Sequence, residues 1–99
     1  MKTGIRRLVL DVLKPLREPS IVDMAKALAE LKGVSGVNIT VSDVDVETMG
    51  LIITIEGDNI DFEKVKTTIS EMGAVIHSVD QVIVGNKVVE TVYTPTTRQ

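Results

Sequence analysis

Apolar positions along the chain switch between two spacings, and each switch marks an element. In Ile5–Leu13, Leu8, Leu10 and Val12 share one face, while Val9, Asp11 and Leu13 share the other. That alternation predicts a strand, and apolar residues on both faces predict a central one. Pro15 and Pro19 then impose a loop. From Ser20 the spacing becomes helical: Ile21, Met24, Ala25, Leu28 and Leu31 form one stripe. Ser20 and Asp23 have the N-cap and N3 spacing, and Gly33 suits the left-handed stop after the helix.

Period two returns at Val37, Ile39 and Val41, after which the apolar phase flips to Val44 and Val46. One extra residue near Ser42–Asp43, a β-bulge, absorbs the flip. Thr48–Gly50 reads as a turn and Leu51–Glu56 as the next strand. Asp61 caps a second helix, with Ile60 and Val65 placed as a hydrophobic staple. Its stripe is Phe62, Val65, Ile69 and Met72, and Gly73 closes it. Val75–Val84 is a fourth strand. Gly85-Asn86 suits a two-residue hairpin turn into a short extra strand, Val88–Tyr93. The remaining residues, 94–99, form a polar tail.

The order is β-α-β-β-α-β, which also reads as two similar β-α-β halves. It predicts an α+β, ferredoxin-like sandwich: an antiparallel sheet, two helices on one face and a short C-terminal strand. Residues 1–93 make one domain, and the second sheet face stays open to solvent, a ligand or another subunit.

Composition removes several uses for that face. The 99 residues include no Cys, no Trp and one each of Tyr, Phe and His. Without Cys there is no thiolate metal site, disulfide or iron–sulfur cluster, and no Cys-x-x-Cys loop of the copper carriers that share this topology. Base stacking of the RNA-recognition type needs aromatics on the first and third strands. Here Arg6–Val12 and Leu51–Glu56 hold none, and Asp11 and Glu56 oppose phosphate. Nucleic acid is therefore not an expected partner. Nor is a membrane: no apolar run approaches the roughly 20 residues that span one. The six-residue stretch Leu8–Leu13 contains Asp11 and is too short for a signal peptide, so a cytoplasmic location is expected.

The net charge of −3 is unevenly distributed. Residues 1–18 carry five Lys/Arg against two Asp/Glu, whereas Asp43–Glu63 contains seven acids and no base. Within the acidic stretch, Asp43, Asp45 and Glu47 alternate along one predicted strand face, neighbours about 6.6–6.8 Å apart. They are a candidate site for a divalent cation such as calcium, with a second set of ligands completing it. The competing reading is an edge strand solvated by its acids. Lys14, Arg17 and Ser20 flank the first helix N-terminus and are a candidate anion or small-ligand site. The competing reading is a solvated loop. His77, Ser78 and Asp80 hold the residue types of a hydrolytic triad, but strand neighbours diverge and no nucleophile elbow surrounds Ser78. The protein is expected not to be an enzyme.

Several stretches together resemble an archaeal family of small uncharacterised proteins, the domain of unknown function numbered two hundred and eleven. They are Gly4–Pro15, Glu18–Ile21, Val34–Val41, Ile55–Phe62 and Ala74–Asp80. The resemblance implies a ferredoxin-like fold and a ring-shaped homo-oligomer, and it implies no activity, cofactor or catalytic residue. The expected function is a self-assembling module that takes a small ligand or ion between subunits. Two alternatives are a small-molecule sensor, resembling amino-acid-binding domains of the same plan, and a divalent-cation-binding protein.

Overall fold

Leu8, Leu10 and Val12 alternate because the segment that carries them is the centre of a sheet. In the computed structural model, which describes residues 4–93, the elements are β1 (Ile5–Pro15), α1 (Ile21–Ala29), β2 (Val34–Val44), β3 (Thr48–Ile60), α2 (Phe62–Glu71) and β4 (Val75–Val84). The sheet order is β2-β3-β1-β4, with every neighbouring pair antiparallel. This is the expected ferredoxin-like α+β plan. The polar tail read over residues 94–99 and the first three residues lie outside the described ones. Among the described residues, no helix is long and apolar enough to cross a membrane.

Register builds the core. Leu8, Leu10 and Val12 of β1 stand opposite Ile55, Ile53 and Leu51 of β3, and all six are buried. Directly opposed residues of an antiparallel pair share a face, so the six form one apolar floor. Met24 and Leu28 of α1 and Val65 and Ile69 of α2 close over it. Both helical stripes read from the sequence are the ones that point inward. α1 packs on β2 and α2 on β4, giving a two-layer slab whose Cα extents are 40 × 40 × 17 Å. The caps are also as read: Ser20 Oγ accepts from Asp23 N–H at 3.0 Å, and Asp61 Oδ1 accepts from Lys64 N–H at 3.3 Å.

The phase flip in β2 is a bulge where the sequence put one, because pairing with β3 skips from Val41 to Asp43. Several boundaries differ: β1 runs on to Pro15, into the loop expected there, β2 begins at Val34 and β3 extends to Ile60. β3 starts at Thr48, so the turn is Asp45–Glu47, closed by Asp45 N–H donating to Thr48 O at 2.9 Å. α1 stops at Ala29, before the glycine that reverses the chain; Gly33 has φ +90. The extra strand is not formed: among the described residues Val88–Tyr93 joins no ladder and β4 is an edge. The reason lies at Gly85, whose φ is +124. Its N–H donates to Gly4 O at 2.9 Å and its carbonyl accepts from Arg6 Nε at 2.6 Å. The turn is thereby tied to the start of β1. β4 also skips register at His77 and Asp80, which interrupts the outer row a fifth strand would need.

At one place two segments touch backbone to backbone. Asp58 N–H donates to Gly33 O at 2.7 Å, and a Cβ on the adjacent Gly57 would overlap that same Gly33 carbonyl. Gly36, by contrast, faces open space. Gly57→Ala is expected to destabilise the fold by about 3 kcal/mol or more, since the obstacle is backbone. Gly36→Ala is expected to be neutral or to stabilise by up to about 1 kcal/mol. Urea unfolding midpoints of the two variants check the contrast.

Candidate functional site

The sheet face away from the helices is set by the odd positions of β1: Arg7, Val9, Asp11 and Leu13. Register adds Glu56, Thr54 and Ile52 from β3, and Ile83, Gln81 and Ser78 from β4. Its most organised feature is Arg7, whose side chain is 19% exposed. Nε donates to Glu56 Oε2 at 2.7 Å, and Nη1 and Nη2 each donate to a Glu90 carboxylate oxygen at 3.1 Å. Nη1 also reaches Gln81 Oε1 at 3.3 Å. The Glu90 hydrogen bond, then that of Glu56, raises the guanidinium pKa above its ordinary value. Arg7 therefore carries its charge at every working pH. Beside it, Ile83 is buried yet stands outside the main core cluster, opposite Arg7 in the ladder. The far end of the same face is bare: Leu13 and Val75, directly opposed, are 46% and 64% exposed.

The sequence separates a basic N-terminal segment from an acid-only stretch, and folding joins them. β1 pairs with β3, so Arg7 meets Glu56 and Arg6 Nη2 lies 3.9 Å from Asp58 Oδ1. Both arginines thus have partners from the acidic stretch within one chain.

Lys14, Arg17 and Ser20 fall in three different settings. Lys14 is on the core face opposite Met49 and is only 2% exposed. Its Nζ donates to Pro15 O at 2.6 Å and to Leu16 O at 3.2 Å. Ser20 Oγ is occupied by the α1 cap, and Arg17 is exposed on the loop between them. Two of the three polar groups are thus bonded to their own backbone. The apolar alternation of β1 carries Lys14 to the inward side, a placement its charge alone would not suggest.

The acidic trio is also spread out. Only Asp43 is in a strand, opposite Gly50; Asp45 and Glu47 belong to the turn, so the expected alternation stops at Val44. Asp45 Oδ1 accepts from Val46 N–H at 2.7 Å, and Glu47 O accepts from Leu16 N–H at 3.0 Å. Among the described residues, no group of three or more His, Asp or Glu side chains comes together. His77 sits exposed at a skip in β4, while Ser78 Oγ donates to Asp80 Oδ1 at 2.7 Å.

A cleft that sequence reasoning did not single out lies between the end of α1 and the start of α2. Its volume is about 620 Å³, and Lys32, Gly33, Asp58, Asn59, Asp61 and Lys64 line it. Two lysines face two carboxylates there, so its charge is balanced. The signal for it was the pair of helix ends, Gly33 and Asp61, but only the Gly33–Asp58 backbone bond brings them together.

Comparison with known proteins agrees with the pattern of the chain. The model of the family described as uncharacterized ArCR, domain of unknown function 211, matches residues 6–98. The chain belongs to this family. An uncharacterised protein of Methanocaldococcus jannaschii is 50% identical over 95 residues, covering 96% of this chain and 97% of that one. The sequence resemblance named the same family, and neither description carries an activity.

Lys14 is the most consequential of the singled-out residues for stability. Lys14→Ala removes a buried four-carbon stem and two hydrogen bonds, and is expected to cost about 2–4 kcal/mol. Lys14→Met keeps most of the stem and is expected to cost about half as much. Arg17→Ala is expected to stay within about 0.5 kcal/mol of the parent. Chemical denaturation of the three variants tests the order.

Proposed function

We propose that the protein is a non-enzymatic, self-assembling module that builds a ring-like homo-oligomer. One observation carries this reading: the distribution of exposed apolar side chains. Apart from Val22, the large apolar residues left exposed all lie outside the helices. They fall along β2 and at the β2–β3 tip (Val41, Val44, Val46), along β4 (Val79, Val82, Val84), at the bare end of the open face and in the segment after β4. The outward positions of α2, Glu63, Lys64, Lys66, Thr67 and Glu71, are polar by contrast. Val41, Val44, Val79 and Val82 stand opposite core-face residues and so lie at margins of the helix side that the helices leave uncovered, while Leu13 and Val75 lie on the open face. Exposed apolar surface of this kind marks interaction surfaces.

The tip of the β2–β3 hairpin and the β4 side are different surfaces on opposite flanks of one sheet. A contact between unlike surfaces is heterologous, and it forms a ring when its rotation closes. A small ligand or ion held between subunits would add to such an interface.

The chain is expected to run as a single high-mass species in native mass spectrometry and light scattering. Leu13→Asp combined with Val75→Asp is expected to raise the monomer fraction without altering the circular dichroism of the fold. A wild-type monomer at micromolar concentration in low salt would overturn the reading.

A further inference from the structure

After β4 the chain has one fixed point and then a loosely held segment. Gly85 is the fixed point, bonded through its N–H to Gly4 and through its carbonyl to Arg6. Its φ of +124 is a conformation that a residue with a side chain rarely adopts. Beyond it, Lys87–Tyr93 is rich in strand-forming residues yet joins no ladder. Among the described side-chain bonds, this segment is held to the sheet by Glu90 on Arg7. Val89, Val92 and Tyr93 remain 64%, 82% and 87% exposed. In the single chain, then, the segment makes a two-pronged ion pair and leaves its apolar residues in water.

Every copy carries the same docking point, Arg7 on an open sheet face, and the same strap on a fixed pivot. Exchanging identical straps between copies keeps the Glu90–Arg7 pair and brings a second copy's surface to Val89, Val92 and Tyr93, which are mostly exposed in a single chain. We infer that Lys87–Tyr93 is an exchange strap: Glu90 of one copy seats on Arg7 of a second copy, and the strap's valines and Tyr93 lie on that copy's open face. The occupant of the open face is therefore a second copy of this chain. Charge complementarity sets the register, because Arg7 is the basic group organised on that face and Glu90 the acid that the segment offers it. This inference rests on the self-assembly reading and adds a specific contact to it.

Two charge reversals in full-length chains test it. Arg7→Glu alone and Glu90→Arg alone each place like charges at the contact, and each is expected to weaken association about tenfold. An equimolar mixture of the two is expected to regain the high-mass species. The arginine at 90 in one chain then meets the glutamate at 7 in the other, and the native pair forms in the reverse sense. The double variant in one chain restores the pair within and between copies and controls for folding. Glu90→Gln, at an exposed position, leaves Arg7 paired with Glu56 and is also expected to raise the monomer fraction. If Glu90→Gln and both reversals keep wild-type mass, the strap inference is overturned while the assembly reading stands. The same holds if the mixture stays as small as its components while the double variant reassembles. A monomeric wild type overturns both.

Discussion

The β1–β3 ladder is the constraint from which the rest of the molecule follows. It opposes Leu8, Leu10 and Val12 to Ile55, Ile53 and Leu51, and that floor is what the two helices cover. Their alternation fixes which side is inside: a slip of one residue in either strand would turn its three outward. The same register also decides the positions of groups that contribute little to the core. It carries Lys14 inward beside Met49, Arg7 outward beside Glu56, and Leu13 outward opposite Val75.

Charge follows the ladder as well. A chain with a basic start and an acid-only middle suggests two surfaces seeking partners in other molecules. Antiparallel pairing of β1 with β3 places Arg6 and Arg7 beside Asp58 and Glu56 instead. Pairs this exposed are worth at most about 1 kcal/mol each, so their effect is chiefly on orientation. The exposed apolar side chains lie chiefly on the strands and in the segment after β4, where Glu90 rests on Arg7.

The elements that were legible from sequence are those whose signals are local. Ser20 and Asp61 announce caps because an N-cap oxygen bonds an amide three residues on. The bulge at Ser42 was legible because a phase change in a period-two pattern has no other local remedy. Strand lengths were less so: β3 runs through Thr48–Gly50 because Val44 and Asp43 pair with Met49 and Gly50, a long-range condition absent from the turn-like residues themselves. The extra strand failed for a similar reason. Gly85-Asn86 has hairpin chemistry, but Gly4 and Arg6, some 80 residues earlier, hold Gly85. The candidate site residues were the least legible, since a polar group's partner depends on which backbone passes nearby. Lys14 found two carbonyls in its own loop, and the Asp43–Glu47 run lost its common face when β2 ended.

By itself the sequence determined the element order, the inward faces, both caps, the bulge and the family, because periodicity, capping and composition act within a few residues. It also removed thiolate chemistry, because the chain has no Cys, and it placed no aromatic residue on the first or third strand. Only the tertiary structure decided that the two arginines are paired at home, that Lys14 is buried, and that the segment after β4 rests on Arg7 without joining the sheet. Those outcomes depend on register between strands far apart in the chain, where one residue's shift exchanges the core for the surface.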